Sequence, residues 1–182
     1  MNITVIGRGN VGGGLGRRWT RAGHHVTELG HDGGDASSAD AVLLAVPSNA
    51  IGEALGKVTG LEGKVVIDAT NAFHGRNEDF ESLAHEVKSH VSGPVAKAFN
   101  CNIATIYNEI DNQRVRPSNF YCGEEGAVAV TEQLSLDAGY EPVSTGGLGS
   151  ARMQEDHLAF MMAVSEGGLG QFFYRYSKPG EL

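Results

Sequence analysis

Apolar residues recur along this chain with two alternating periods. Asn2-Ile3-Thr4-Val5-Ile6 reads as a strand, after which Val11, Leu15, Trp19 and Ala22 recur at the spacing of one helix face. Gly23 is a helix stop, and residues 25–29 read as a second strand. Residues 40–46 (Asp-Ala-Val-Leu-Leu-Ala-Val) form the near-continuous apolar run of a strand buried on both faces, ended by Pro47. The pattern then predicts a short helix over 50–57, a strand over 64–69, a helix carrying Phe80, Leu83, Ala84 and Val87, and a strand over 94–99. Short strands at 119–122 and 141–143 flank a helix near 125–138. Met153, His157, Phe160, Met161 and Val164 mark a long helical segment from 150 to about 173. Strands alternating with helices predict an α/β fold built on a doubly wound parallel sheet.

The first turn narrows that class. Gly7-Arg8-Gly9-Asn10-Val11-Gly12 is Gly-x-Gly-x-x-Gly between a strand pattern and a helix pattern. This is the Rossmann-like arrangement that cradles a dinucleotide pyrophosphate. Gly7 permits the tight turn, Gly9 lets the backbone approach the phosphates, and Gly12 lets the helix sit close to the sheet. The bare pattern occurs by chance in glycine-rich chains, so its position between strand and helix carries the weight. Residues 1–146 read as the dinucleotide-binding domain and 147–182 as a C-terminal helical cap that closes the substrate cleft. Gly167, Gly168 and Gly170 are expected to interrupt that cap and turn Phe172, Phe173 and Tyr174 back.

One stretch departs from the usual plan. Only ten residues, 30–39, lie between the second and third strand patterns, and they are rich in Gly, Ser and Asp. A crossover between parallel strands needs roughly a dozen residues. The usual edge strand is therefore predicted to be missing. A loop or single helical turn takes its place, with a more open adenosine pocket beside it.

Composition removes whole classes of function. The chain has 182 residues and a formal net charge of −8, which argues against nucleic acid or an anionic membrane as partner. An anionic cofactor must then be held locally, by a helix N-terminus and a few placed cations. Cys101 and Cys122 are too few and too scattered for a disulfide framework or a metal site, which fits a reducing cytoplasm. The first strand begins at residue 2, leaving no room for a signal peptide, and no apolar run approaches membrane-spanning length.

With these pieces in place the chain resembles the NADP-dependent oxidoreductases similar to NADPH–coenzyme F420 reductases. The resemblance runs through Gly7-Arg8-Gly9-Asn10-Val11-Gly12, Ala22-Gly23-His24, Leu44-Ala45-Val46-Pro47 and Val66-Ile67-Asp68-Ala69-Thr70-Asn71. It continues through Lys97-Ala98-Phe99-Asn100, Phe120-Tyr121-Cys122-Gly123-Glu124-Glu125 and Gly139-Tyr140-Glu141-Pro142-Val143, and closes with Gly146, Gly147, Leu148 and Ala151-Arg152. It implies hydride transfer between the nicotinamide of NADP(H) and a second redox molecule, which in the F420 members is a deazaflavin; a flavin-like acceptor is the near variant. Such chemistry needs no protein nucleophile, and the sequence offers no assignable catalytic residue. Ala45-Val46-Pro47, Thr70-Asn71 and Ala98-Phe99-Asn100 follow strand ends on one sheet edge, where ligands of open α/β sheets bind. The nicotinamide and its ribose are placed along them. A homodimer is the expected assembly.

Single residues leave alternatives open. Arg8 either pairs with a 2′-phosphate or is an exposed arginine beside the cofactor. The family carries a Ser-Arg pair after the second strand where this chain has Gly30-His31, and no Lys or Arg follows before Lys57. Arg8 with His31 is then the candidate replacement, with a solvated loop histidine as the plain reading of His31. Glu28 is an alternative ribose ligand that would favour NAD, but it lies 16 residues past Gly12, short of the usual spacing of about 20. Lys97 either meets an anionic ligand or faces water at a strand end. Cys101 either borders the nicotinamide site or is a small buried thiol. His24 and His25 read as structural or solvated. Gly13, Gly14 and Gly16 make the first helix either unusually close to something or unusually mobile. Met153, Phe160, Met161 and Met162 are core, ring-pocket lining or a subunit contact. Two rival functions remain. One is a reductase of a small imine or carbonyl compound, with His157, Tyr107 or Tyr121 as proton donor. The other is a redox sensor that binds NADP(H) without turnover.

Overall fold

The computed structural model describes residues 1–181. In chain order the elements are β1 (Asn2–Ile6), α1 (Asn10–Arg21), β2 (His25–Leu29), β3 (Gly34–Asp35), β4 (Ala41–Leu44), α2 (Ile51–Gly56), β5 (Val58–Thr59), β6 (Val65–Asp68), α3 (Leu83–His90), β7 (Val95–Ala98), β8 (Ser118–Gly123), α4 (Glu125–Asp137), β9 (Glu141–Ser144) and α5 (Ala151–Val164). Seven strands form one sheet in the order β2-β1-β4-β6-β7-β8-β9. Alternate residues along the central strands feed opposite faces. Ile3, Val5, Ala41, Leu43 and Ile67 join Leu15 and Trp19 of α1 and Leu134 of α4. Ile6, Val42, Leu44 and Val66 join Ile51 and Leu55 of α2 and Leu83 and Val87 of α3. Helices thus cover both faces, as a doubly wound sheet requires.

The sheet is not wholly parallel. β7 and β8 run antiparallel, with Lys97 opposite Cys122, while β8 and β9 are again parallel. The long connection from Ala98 to Ser118 allows the reversal. It contains a 3-10 helix, Ala104–Asn112, that the sequence pattern did not disclose. β2 is the sheet edge, so the usual outer strand is absent as expected. The short connection after it carries a feature of its own: β3 pairs with β5 in a separate two-stranded ribbon, Gly34 opposite Val58 and Asp35 opposite Thr59.

The glycines of α1 are there for contact. A β-carbon on Gly12 would lie 1.9 Å from the Gly7 carbonyl oxygen, one on Gly14 2.6 Å from the Tyr107 ring, and one on Gly16 2.8 Å from Glu28 Oε1. Arg18, buried on the same helix, donates to the Tyr107 carbonyl (3.0 Å) and to the Ala138 carbonyl, and pairs with Asp111. α1 is therefore clamped against the 3-10 helix and the end of α4.

The C-terminal helix is shorter than its periodicity implies. α5 ends at Val164, a wide turn over Ser165–Leu169 follows, and Gly168 and Gly170 take left-handed backbone angles. The chain then returns along β8, where Ser118 N donates to the Tyr174 carbonyl (2.8 Å) and the Phe120 and Tyr174 rings stack at 5.0 Å. No helix among the described residues is long and apolar enough to cross a membrane.

Candidate functional site

The parallel strands β1, β4, β6 and β7 all end on one edge of the sheet, at Ile6, Leu44, Asp68 and Ala98. Two clefts open there, one on each side of the glycine turn. Gly7 has φ +108°, and a β-carbon on it would lie 2.2 Å from the Ala45 carbonyl oxygen, so only glycine fits between β1 and β4. A β-carbon on Gly9 would meet nothing within 4 Å. The space above Gly9 is open, and α1 begins beside it with no side-chain cap and no acidic residue in its first turn. Its first N–H groups and the positive end of its dipole are therefore free for an anion.

The first cleft, about 490 Å³, is lined by Ile6, Gly7, Arg8 and Gly9, by Gly30 and His31, and by residues of the β4–α2 region: Val46, Pro47, Ala50, Glu53, Ala54 and Lys57. Arg8 lies across Gly30, where a β-carbon would come within 3.1 Å of the guanidinium carbon. Lys57 Nζ donates to the His31 carbonyl (3.2 Å) and to Glu53 Oε1 (2.6 Å). His31 itself is exposed, 3.6 Å from Glu53. The Lys57 ammonium and the His31 ring hold the Glu53 carboxyl below the usual carboxylate range. The sequence reading missed the nearness of Lys57 to residue 31. Its signal was compositional: Lys57 is the first cation after the second strand.

The second cleft, about 390 Å³, is lined by Asn10 and Val11 of α1, Asn71 and Phe73 after β6, Asn100 to Ala104 after β7, and Leu158, Met161, Met162, Ser165 and Gln171 of the C-terminal segment. Asn71 and Asn100 tie the two strand ends together: Asn71 Nδ2 donates to the Asn100 carbonyl (2.7 Å) and Asn100 Nδ2 to Asn71 Oδ1 (3.2 Å). Asn100 Oδ1 is buried and, among the described residues, receives no hydrogen bond. An unpaired buried acceptor at a cavity wall is a place for a ligand donor. Cys101 borders this cleft, but its thiol donates to the Gln154 carbonyl (3.3 Å) and burial pushes it up to about 12. It is a neutral lining group.

The predicted site residues therefore divide. Gly7, Arg8, Gly9, His31, Val46 and Pro47 line the first cleft, and Asn10, Val11, Asn71 and Asn100 the second. Gly12, Ala45, Thr70, Ala98 and Phe99 lie behind the clefts. Phe99 is fully buried and packs edge-on against Trp19 at 5.8 Å and Tyr140 at 6.5 Å. Its backbone is left-handed, φ +64°, with its N–H held by Asn119 Oδ1 at 3.0 Å. That conformation is uncommon for a bulky residue. Here it sends the ring inward and turns Asn100 toward Asn71.

Lys97 overturns both of its sequence readings. It neither meets an open cleft nor faces water. Its side chain is wholly buried, with Nζ 2.8 Å from Asp68, 3.2 Å from Glu155 and 2.7 Å from the Thr70 carbonyl. Glu155, on α5, also accepts from Leu83 N (3.0 Å) and pairs with Arg76 (2.9 Å). This network fastens the C-terminal helix to the strand ends that carry Thr70-Asn71 and Phe99-Asn100.

The candidate proton donors lie elsewhere. Tyr107 is in the core, 6.3 Å from the Tyr140 ring, and burial raises its hydroxyl pKa. The Tyr121 hydroxyl donates to Glu132 on α4. His157 stacks on Phe160 at 5.6 Å on the far face of α5. Glu28 lies against Gly16 of α1 and lines neither cleft. His24 pairs with Asp137 (2.8 Å), while His25 is exposed on the neighbouring strand.

No protein-family profile matches the chain, and no curated protein sequence does. Solved structures do match. A proposed F420-dependent NADP reductase from Arthrobacter sp. FB24 superposes with a TM-score of 0.80 at 22% identity, covering 97% of this chain and 99% of that one. A hypothetical protein from Sinorhizobium meliloti gives a TM-score of 0.71 at 26% identity over 85% of this chain and 90% of that one. A reductive aminase from Aspergillus terreus, solved with NADPH, gives 0.69 at 15% identity over 91% of this chain. This chain spans 62% of the aminase's length. These likenesses establish a Rossmann-like α/β fold shared with dinucleotide-dependent reductases.

Proposed function

We propose that this chain is an NADP(H)-dependent oxidoreductase that transfers a hydride between the nicotinamide and a planar conjugated acceptor, a deazaflavin such as coenzyme F420 or a flavin. One observation carries the choice of acceptor. The second cleft is lined by amides, apolar side chains, the Ser165 hydroxyl and the neutral Cys101 thiol, with no carboxylate, imidazole, ammonium or phenol among its described lining residues. Reducing an imine or carbonyl calls for a positioned acid beside the heteroatom. A deazaflavin takes the hydride at a ring carbon and a flavin at a ring nitrogen, and either draws its one balancing proton from solvent, so such a ring asks only for placement and exclusion of competing reactions.

The residues present fit the dinucleotide. The open space over Gly9 and the free start of α1 suit the pyrophosphate, and the two clefts on either side suit its two halves. Bound NADP(H) supplies the hydride chemistry. The protein's part is geometry. Val46 and Pro47 flank the first cleft beside the turn, and Asn71 and Asn100 hold each other at the second. Asn100 Oδ1 is free to accept from a carboxamide or a ribose hydroxyl. Leu158, Met161 and Met162 form an apolar wall along the second cleft. The relatives support the reading through what they are described to bind: NADPH in the aminase complex, F420 and NADP in the name of the Arthrobacter protein.

The test is anaerobic mixing of the protein with NADPH, and separately NADH, in the presence of coenzyme F420 while both chromophores are followed. F420 reduction by NADPH is the expected result. Tight NADPH binding without reduction of F420 or a flavin would overturn the acceptor and favour an imine or carbonyl reductase, or a sensor.

A further inference from the structure

We infer that Lys57 and Arg8 together grip the 2′-phosphate of the dinucleotide, and that Glu53 is the stand-in anion which that phosphate displaces. The inference rests on the dinucleotide reading of the first cleft and adds the residues that choose between the phosphorylated and unphosphorylated cofactor.

Three observations converge on it. The place after β2, where the adenosine ribose lies in this fold, is Gly30-His31 and offers no cation on its own backbone segment except the exposed histidine. Arg8 reaches it from the glycine turn, its guanidinium lying across Gly30, where a β-carbon would be 3.1 Å from the guanidinium carbon. Lys57 reaches it from the opposite wall, its ammonium 3.2 Å from the His31 carbonyl. Both cations line the one cleft.

The shortened connection is what brings Lys57 there. β3 pairs with β5, Gly34 N donates to the Lys57 carbonyl (3.2 Å), and a β-carbon on Gly33 would lie 2.0 Å from that same oxygen. The loop is thus docked directly onto the residue that follows α2. The loss of an outer strand and the arrival of a lysine are two consequences of one rearrangement.

Glu53 gives the site its discrimination. Its carboxylate sits 2.6 Å from Lys57 Nζ and 3.6 Å from His31 Nε2. A 2′-hydroxyl is a neutral group and cannot compete for the Lys57 ammonium against a carboxylate. A phosphate carries more charge and more acceptor oxygens, and can take Lys57 while Arg8 closes on it from the other side. Asp32, 3.8 Å from His31, is the remaining acidic neighbour.

The experiment is calorimetric titration of the wild type, Lys57→Met and Glu53→Gln with NADPH and NADH, and with adenosine 2′,5′-bisphosphate and 5′-AMP as probes of the adenosine half alone. Losing one charge-assisted contact predicts that Lys57→Met weakens NADPH and the bisphosphate by about tenfold or more, while NADH and AMP change little. Glu53→Gln is expected to act the opposite way, tightening the phosphorylated ligands and leaving the others unchanged. The two variants thus move one ratio in opposite directions, which general damage to the fold cannot do. Equal weakening of both classes by Lys57→Met, or an unchanged NADPH affinity, would overturn the clamp while leaving the dinucleotide reading intact. Wild-type protein that binds neither dinucleotide would overturn that reading and the clamp with it.

Discussion

Lys97 Nζ lies 2.8 Å from Asp68 Oδ2, and neither side chain has any exposed surface. With Glu155 at 3.2 Å on the other side, one buried ammonium balances two carboxylates, and Arg76 restores the charge from the rim. Such groups leave water at high cost and are tolerated only when mutually satisfied. Lys97→Met should therefore strand Asp68 without its counter-charge, leave Glu155 with Arg76 alone, and cost about 3–5 kcal/mol, the range for breaking one partner of a buried pair. Denaturant titration measures it, and an unchanged midpoint would show that the network carries no net stability. Since the network anchors α5, any surviving variant should also lose order in the Leu158–Met162 wall.

Gly9 and Gly12 look alike in sequence and should behave differently. A β-carbon on Gly12 would sit 1.9 Å from the Gly7 carbonyl oxygen, whereas one on Gly9 meets nothing within 4 Å. Gly12→Ala is expected to shift backbone and lower the melting temperature by several degrees, the response of a small domain to roughly 1–3 kcal/mol of overpacking. Gly9→Ala is expected to leave the melting temperature unchanged while weakening NADPH, because its methyl occupies the phosphate's place. Thermal denaturation with and without NADPH separates the two effects. Equal melting curves combined with full affinity in Gly9→Ala would contradict the pyrophosphate assignment.

Burial raises the thiols of Cys101 to about 12 and Cys122 to about 11. Both are therefore neutral at pH 8, with only about one thiolate in ten thousand and one in a thousand, against an ordinary thiol pKa of about 8.5. A disulfide reagent such as Ellman's should be slow on the native protein and fast in guanidinium. The linkage has a definite sign. The folded state holds its thiol protons where the unfolded state releases them, so this contribution is complete below about pH 8.5 and is lost as pH rises toward the folded values. Rapid native labelling at pH 8 would show that solvent reaches these thiols in the folded protein.

Much of the fold was legible because its strands are short apolar runs and its helices keep one apolar face. The missing outer strand followed from a ten-residue connection. What escaped was set by contacts between distant segments. No local pattern marks the antiparallel turn into β8 or the 3-10 helix at Ala104–Asn112, since that segment's side chains pack against α1 rather than repeat among themselves. Gly14 and Gly16 were visible as an oddity, and their cause, the Tyr107 ring and the Glu28 carboxylate, lies 93 and 12 residues further along the chain. Lys97 was misread because a charged residue at a strand end ordinarily faces water. Its partner Glu155 sits 58 residues away on a helix whose placement the sequence does not disclose. Lys57 escaped for the same reason, being brought to His31 by a two-residue ribbon too short to leave a periodic signal.

Arg18 joins three segments through one side chain. It donates to the carbonyls of Tyr107 (3.0 Å) and Ala138 and pairs with Asp111, while only 8% of its side chain is exposed. Arg18→Met keeps the apolar stem but leaves two carbonyl groups without their donor, at about 1–3 kcal/mol each when fully buried. A loss of about 2–4 kcal/mol is expected, read as a shift in denaturation midpoint. The guanidinium also holds the Asp111 carboxyl below the usual carboxylate range, through its hydrogen bond first. A lowered folded pKa means that this contribution is present above about pH 4 and disappears as pH falls through the folded value. The variant should therefore lose stability at neutral pH and show a smaller further loss on acidification than the wild type. Parallel acid profiles would assign the effect of Arg18 to its carbonyl contacts alone.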